Sequence, residues 1–122
     1  MGPKVLIVED QGSVYQQIKD FLEWIGCMVV GHVSSGKDVL DAYERLEPDL
    51  VTMDLMMPEM NGAEATRELI AKHKSAKVLI FTSLDVGDNG GKEDEMVKES
   101  LEAGAIEAVC KFSKDGILKV LK

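Results

Sequence analysis

The sequence has no apolar run near the roughly 18 residues that a membrane-spanning helix needs. Its first ten residues, MGPKVLIVED, hold one lysine and an apolar run too short for a signal peptide. Cysteine is scarce as well. Cys27 and Cys110 show no CxxC spacing, which favours reduced, partly buried thiols over a disulfide or zinc framework. These absences predict a cytoplasmic protein.

Basic residues are also in deficit, with 14 Lys and Arg against 22 Asp and Glu and a net charge of -8. Such a surface repels nucleic acid and anionic membranes, so neither is an expected partner. The acidity predicts a solvated surface with some acids gathered at a cation site. With 122 residues and no internal repeat or low-complexity segment, the chain is predicted to be a single domain over residues 1–122.

Short apolar runs alternate with amphipathic segments five times along the chain. The predicted strands are 4–8, 27–33, 49–53, 77–82 and 105–110. The predicted helices are 13–25, 36–46, 62–73, 94–103 and 113–122, with 83–95 mainly loop, Ser13 as the first N-cap and Gly26 as the end of the first helix. This alternation with short links predicts a parallel sheet with right-handed crossovers and helices on both faces.

Five polar residues follow or close four of these strands. Glu9 and Asp10 follow the first strand, Asp54 follows the third, Thr82 closes the fourth and Lys111 follows the fifth. Because the carboxyl ends of parallel strands share one edge, where ligands of open α/β sheets bind, these residues are expected to converge.

Three neighbouring carboxylates repel one another unless a cation lies among them. A hard divalent ion such as Mg²⁺ suits these oxygen ligands and commonly also takes a phosphate oxygen. Lys111 offers a mobile positive charge, and Thr82 offers a hydroxyl donor. A carboxylate is already ionised near neutral pH and needs no base to act as a nucleophile. The set therefore predicts a site that makes and holds a phosphorylated aspartate.

Four segments of the sequence carry a family resemblance. They are KVLIVED, MDLMMPEMNG, IFTS and EAGAIEAVCK, and together they extend over nearly the whole chain. In these segments the chain resembles the receiver domains of two-component response regulators. The resemblance implies a flavodoxin-like (CheY-like) doubly wound sheet of five parallel strands in the order 2-1-3-4-5.

The resemblance also implies roles for the acidic residues. Asp54 would accept a phosphoryl group from the phosphohistidine of a histidine kinase. Asp10, Asp54 and the backbone carbonyl of Met56 would ligate Mg²⁺, for which Mn²⁺ could substitute, while Glu9 would act mainly through water. Pro58 and Gly62 would shape the loop beside the acceptor.

Two further roles concern the other side of the pocket. Thr82 would hydrogen-bond a phosphoryl oxygen, and Lys111 would pair with Asp54 and then with the phosphoryl group. The chain would be no enzyme beyond its own phosphorylation and dephosphorylation. Its partners would be a sensor histidine kinase or phosphotransfer protein and a downstream effector or fused output domain, whether it stands alone or belongs to a longer protein.

Three features depart from the family pattern. Receivers usually have proline after the lysine, where this chain has Phe112, and many have an aromatic residue where this chain has Ala108. The stretch from Thr82 to Gly104 is longer than in compact receivers. These departures leave the phosphorylation chemistry in place and point to a different output mechanism, running through the loop and helix after Thr82.

Two other functions of the same fold fit the sequence less well. Phosphohydrolases of the haloacid dehalogenase type have a second acid two residues after the nucleophile, and that position here is Met56. A flavin or nucleotide binder needs a phosphate loop rich in Gly, Ser or Thr after the first strand, where this chain has EDQGS. Neither histidine, His32 nor His73, is expected to join the acid cluster.

Overall fold

The computed structural model describes residues 2–57, 59–82 and 92–110. Within them lie five strands: β1 (Lys4–Val8), β2 (Met28–Val33), β3 (Leu50–Asp54), β4 (Val78–Thr82) and β5 (Glu107–Cys110). Four α-helices accompany them: α1 (Gly12–Trp24), α2 (Val39–Leu46), α3 (Gly62–Lys72) and α4 (Lys92–Ala103). A short 3-10 turn, Gly36–Asp38, precedes α2. The predicted final helix, 113–122, lies outside the described residues.

The sheet is parallel throughout, with the strand order β2-β1-β3-β4-β5. This order confirms the predicted doubly wound architecture. Its central strands are buried on both faces, which explains why β1 and β3 are continuous apolar runs rather than alternating ones. β2 and β5 form opposite edges of the sheet, and Cys27 is a free buried thiol.

Two apolar clusters cover the two faces of the sheet. The α1-side cluster joins alternate strand residues to the inner face of α1 and consists of Val5, Ile7, Ile18, Leu22, Cys27, Leu50, Leu79, Phe81 and Val109. The opposite cluster is centred on Leu6, Val8, Val51, Met53, Ile80 and Leu69, the last from α3. Since successive strand residues alternate between the clusters, both layers of helices are fixed to the sheet by the same five strands.

Some predicted boundaries were wrong. α1 begins at Gly12, so Ser13 is not its N-cap. The N-cap is Gln11, two residues earlier, whose carbonyl accepts the bond from the Tyr15 N–H. α4 begins at Lys92, so the predicted loop 83–95 overlaps the first helical turn. Gly26 does end α1, with a φ of 100° that favours glycine. Among the described residues, no helix is long and apolar enough to cross a membrane.

Candidate functional site at the carboxyl edge of the sheet

The three predicted acids meet at the carboxyl edge of β1 and β3. These strands are neighbours, and the Val8–Met53 pairing brings their ends level. Glu9 and Asp10 follow β1 directly, while Asp54 is the last residue of β3. One carboxylate oxygen from each of the three acids lies within 4.8 Å of the others. The structure therefore brings together the acid trio expected from the sequence.

Burial makes this trio costly without a cation. Glu9 is only 1% exposed and Asp54 only 6%, whereas Asp10 is exposed at the mouth of the group. Carboxylates that are removed from water and placed close together destabilise one another in their charged forms. An oxygen-only donor set with one open side is what Mg²⁺ prefers, so these residues fit that ion.

Several bonds hold the loop between β1 and α1. The Glu9 N–H donates to the Val33 carbonyl at 3.0 Å, and the Glu9 carboxylate accepts from the Gln11 N–H at 3.3 Å. The Glu9 carbonyl accepts from His32 Nε2 at 2.8 Å. Glu9 and Asp10 thus lie in a loop whose backbone is hydrogen-bonded to the adjacent edge strand β2.

The loop between β3 and α3 approaches the acceptor from the other side. The Gly62 N–H donates to the Leu55 carbonyl at 2.9 Å, and a Cβ at Gly62 would collide with the Asp54 carbonyl oxygen. Glycine is therefore required by this close approach of two backbones. The side chain of Asn61 caps α3 in a capping box with Glu64, which fixes where the helix begins. Met56 is 55% exposed, and Pro58 lies outside the described residues.

Of the remaining predicted site residues, the structure places the backbone of Thr82. Thr82 ends β4, whose Phe81 pairs with Asp54, so its backbone lies at the same sheet edge. Lys111 and Phe112 lie outside the described residues; Lys111 comes directly after Cys110, which pairs with Thr82. Ala108 is half-buried and packs against the opposite cluster. The roles of Thr82 and Lys111 remain predictions.

His32 was missed as a neighbour of the site. His32 lies in the edge strand β2, within the predicted strand 27–33, and it was not expected to join the acid cluster. It is not one of the clustered carboxylates, yet its ring bonds the backbone between Glu9 and Asp10. No sequence pattern predicts this contact, because it depends on the register of β2 against β1.

Comparison with known proteins agrees with this geometry. Residues 5–122 match the family described as the response regulator receiver domain. The chain is 34% identical over 122 residues to the chemotaxis protein CheY of Thermotoga maritima, covering 99% of this chain and 96% of that protein. It is also 36% identical to a protein-glutamate methylesterase/protein-glutamine glutaminase of Alkalilimnicola ehrlichii, where the match covers 94% of this chain and 28% of that protein.

A solved structure is similar over nearly the full length. It is the receiver domain of a sensor histidine kinase from Pseudomonas aeruginosa PAO1, determined with a magnesium ion coordinated in its active-site cleft. The two chains are 26% identical with a TM-score of 0.81, covering 99% of this chain and 95% of that one. The fold therefore has a counterpart in a receiver domain that binds magnesium.

Proposed function

The chain belongs to the family of response regulator receiver domains, and we propose that it works by accepting a phosphoryl group on Asp54. The observation that carries this proposal is the acid trio, in which Asp54 ends a central strand and lies within 4.8 Å of two further carboxylates. A nucleophile there is fixed by the sheet, and the exposed Asp10 leaves one side of the group open to a donor.

In the proposed reaction, a carboxylate oxygen of Asp54 attacks the phosphorus of a histidine kinase phosphohistidine. A P–O bond forms to Asp54, the P–N bond breaks, and the imidazole of the donor leaves with the electron pair. Asp10, Asp54 and the Met56 carbonyl would hold Mg²⁺, with Glu9 acting through water. When bound, Mg²⁺ supplies positive charge that offsets the carboxylates and the phosphoryl oxygens.

Two residues would complete the pocket from the neighbouring strands. Thr82, at the end of β4, would donate its hydroxyl to a phosphoryl oxygen. Lys111, following β5, would pair with Asp54 before transfer and with the phosphoryl group afterwards. The chain would thereby catalyse only its own phosphorylation and dephosphorylation.

The output would be a change in partner binding through residues 83–95 and the start of α4. Ala108 has no aromatic ring to turn when Thr82 moves, so the segment directly after Thr82 would take up the change. The partner would be a downstream effector or a fused output domain. Both organisations occur among the relatives, since the match spans nearly all of one chemotaxis protein and 28% of a methylesterase. We place these exchanges in the cytoplasm.

The direct test is phosphorylation by a small phosphodonor with Mg²⁺, followed by intact-protein mass spectrometry. The wild type should gain one phosphate, and Asp54→Asn should gain none. Asp41→Asn is a matched control, because Asp41 is an exposed acid on α2 that forms a 3.9 Å ion pair with Arg45. Asp10→Ala should slow the labelling, and so should a chelator. Labelling of Asp54→Asn at the wild-type rate would overturn the assignment.

A further inference from the structure

The edge strand β2 contains a register shift beside the functional site. Val29 pairs with Val5 on β1, but the next pair is Gly31 with Leu6, so Val30 is an extra residue of the β-bulge type. Bulges re-aim the side chains that follow them and are frequent next to active sites. Here the shift lies three residues before the end of the strand.

The bulge reverses the face of the sheet toward which the side chains at the end of β2 point. Val29 packs with the α1-side cluster, whereas Val33 packs with the opposite cluster. In a regular strand these two residues would lie on the same face, since side chains alternate with a period of two. Gly31 now faces Leu46 of α2, and His32 is turned toward α1.

Two contacts fix the His32 ring on the α1 side. It stacks on the ring of Tyr15 in α1, with centroids 3.8 Å apart and planes 11° apart. Its Nε2 lies 2.8 Å from the Glu9 carbonyl oxygen. Because a carbonyl can only accept a hydrogen bond, Nε2 carries the proton and donates it. The ring is thus held in one orientation by a stacked neighbour and one hydrogen bond.

The carbonyl that His32 contacts belongs to the peptide group joining Glu9 to Asp10. A peptide group is planar, so fixing its oxygen fixes the direction in which the chain continues to Asp10. The other side of Glu9 is held by the bond from its N–H to Val33. Both bonds come from the end of β2, and together they set where the two acids of this loop stand relative to Asp54.

We propose that His32 is a positioning residue that orients the Glu9–Asp10 peptide and thereby prepares the acid trio for its divalent cation. The proposal rests on the proposed Mg²⁺ site and adds a residue that is neither a ligand nor a contact of the phosphoryl group. Partners that orient metal ligands from outside the coordination sphere change metal affinity by about 10–100-fold when removed.

A purely structural role predicts something different. If the Tyr15–His32 stack only packs α1 against β2, losing it would lower the stability of the fold and leave the affinity of the acid trio unchanged. The second histidine provides a matched control. His73 Nε2 contacts Glu44 at 2.9 Å, and its ring lies 5.0 Å from the Tyr43 ring, but these contacts connect α2 with the end of α3.

The experiment compares the wild type with His32→Leu, His32→Gln and His73→Leu by calorimetric titration with Mg²⁺. Leu removes the donor, while Gln keeps a side-chain N–H at a similar reach. We expect His32→Leu to raise the Kd for Mg²⁺ about tenfold. His32→Gln should recover most of that loss, and His73→Leu should bind like the wild type. Equal Mg²⁺ affinity in His32→Leu and the wild type would overturn the proposal.

Two metal-free measurements separate this proposal from the proposed function. Amide exchange at Asp10 and Gln11 should be faster in His32→Leu than in the wild type and His73→Leu, whether or not any protein binds Mg²⁺. A wild type that fails to bind Mg²⁺ would contradict the proposed function, while unchanged exchange would contradict the positioning role. Nitrogen NMR of the folded wild type should show the His32 proton on Nε2. A proton on Nδ1 alone would also refute the proposal, even if the leucine variant fails to fold.

Discussion

Replacing Asp54 by Asn should make the metal-free protein more stable. Asp54 is 6% exposed and Glu9 is 1% exposed, and the three carboxylates of the trio approach within 4.8 Å of one another. At that separation and an effective dielectric constant of about 20, two unit charges repel by roughly 3 kcal/mol. The amide keeps the shape and an acceptor oxygen of the side chain but removes its charge from both repulsive pairs.

The observed gain will be smaller than this repulsion, because the charged form of Asp54 also makes favourable interactions that the amide weakens. We expect an increase of about 1–2 kcal/mol in the free energy of unfolding, measured by urea titration in chelator with an unchanged m-value. Asp41→Asn, an exposed acid paired loosely with Arg45, should change it by less than about 0.5 kcal/mol.

Adding Mg²⁺ should reduce this difference in stability between the two proteins. At ten times its Kd, a ligand that binds only the folded state stabilises it by about 1.4 kcal/mol. The wild type should gain this amount, and Asp54→Asn should gain clearly less because one carboxylate ligand is lost. A metal-free Asp54→Asn protein that is no more stable than the wild type would refute the reasoning that the buried acids repel one another.

Three further predictions concern the surroundings of the site. Gly62→Ala should lower the free energy of unfolding by about 1–3 kcal/mol in urea titration, because the new Cβ collides with the Asp54 carbonyl. An unchanged free energy of unfolding would show that the loop shifts to make room for the Cβ. Asn61→Ala should cost about 1 kcal/mol in the same assay by removing the side-chain cap of α3, with no loss if water replaces it fully. Burial raises the pKa of the Cys27 thiol, so less of the reactive thiolate is present at pH 8. Peptide mass spectrometry should therefore find that Cys27 is alkylated far more slowly in the folded protein than in the unfolded protein. Equal alkylation rates would contradict the burial of this thiol.

The sheet and the acid trio were predictable because both depend on coarse features of the sequence. Short apolar runs such as KVLIV and DLVTM are typical of strands that are buried on both faces, and the carboxyl ends of parallel strands meet at a common edge. Because β1 and β3 are neighbours, their carboxyl ends bring Glu9, Asp10 and Asp54 close together. The family resemblance supplied the strand order, which the structure confirms.

The register of β2 was not predictable in the same way. The segment CMVVGHV has apolar residues that satisfy either face, so the apolar pattern does not reveal an extra residue at Val30. A shift of one residue decides whether His32 points toward α1 or away from it. The contact of His32 with the Glu9 backbone therefore could be found only in the structure.

The first residues of two helices were also predicted wrongly from the sequence. α4 begins at Lys92, although its first turn, before Met96, contains no apolar residue and three glycines precede the helix in the sequence. Without apolar periodicity the charged run KEDE resembles a solvated loop as much as a helix. In α1, the serine that favours an N-cap lies two residues after the residue that actually holds that position.

The central claim, phosphoryl transfer to Asp54, is tested most directly by locating the phosphorylated residue. The protein is phosphorylated with a small donor and Mg²⁺, reduced with borohydride to convert the acyl phosphate into homoserine, digested and sequenced by mass spectrometry. We predict homoserine at position 54 alone. Homoserine at Asp10 or at another aspartate, with residue 54 still aspartate, would contradict the account.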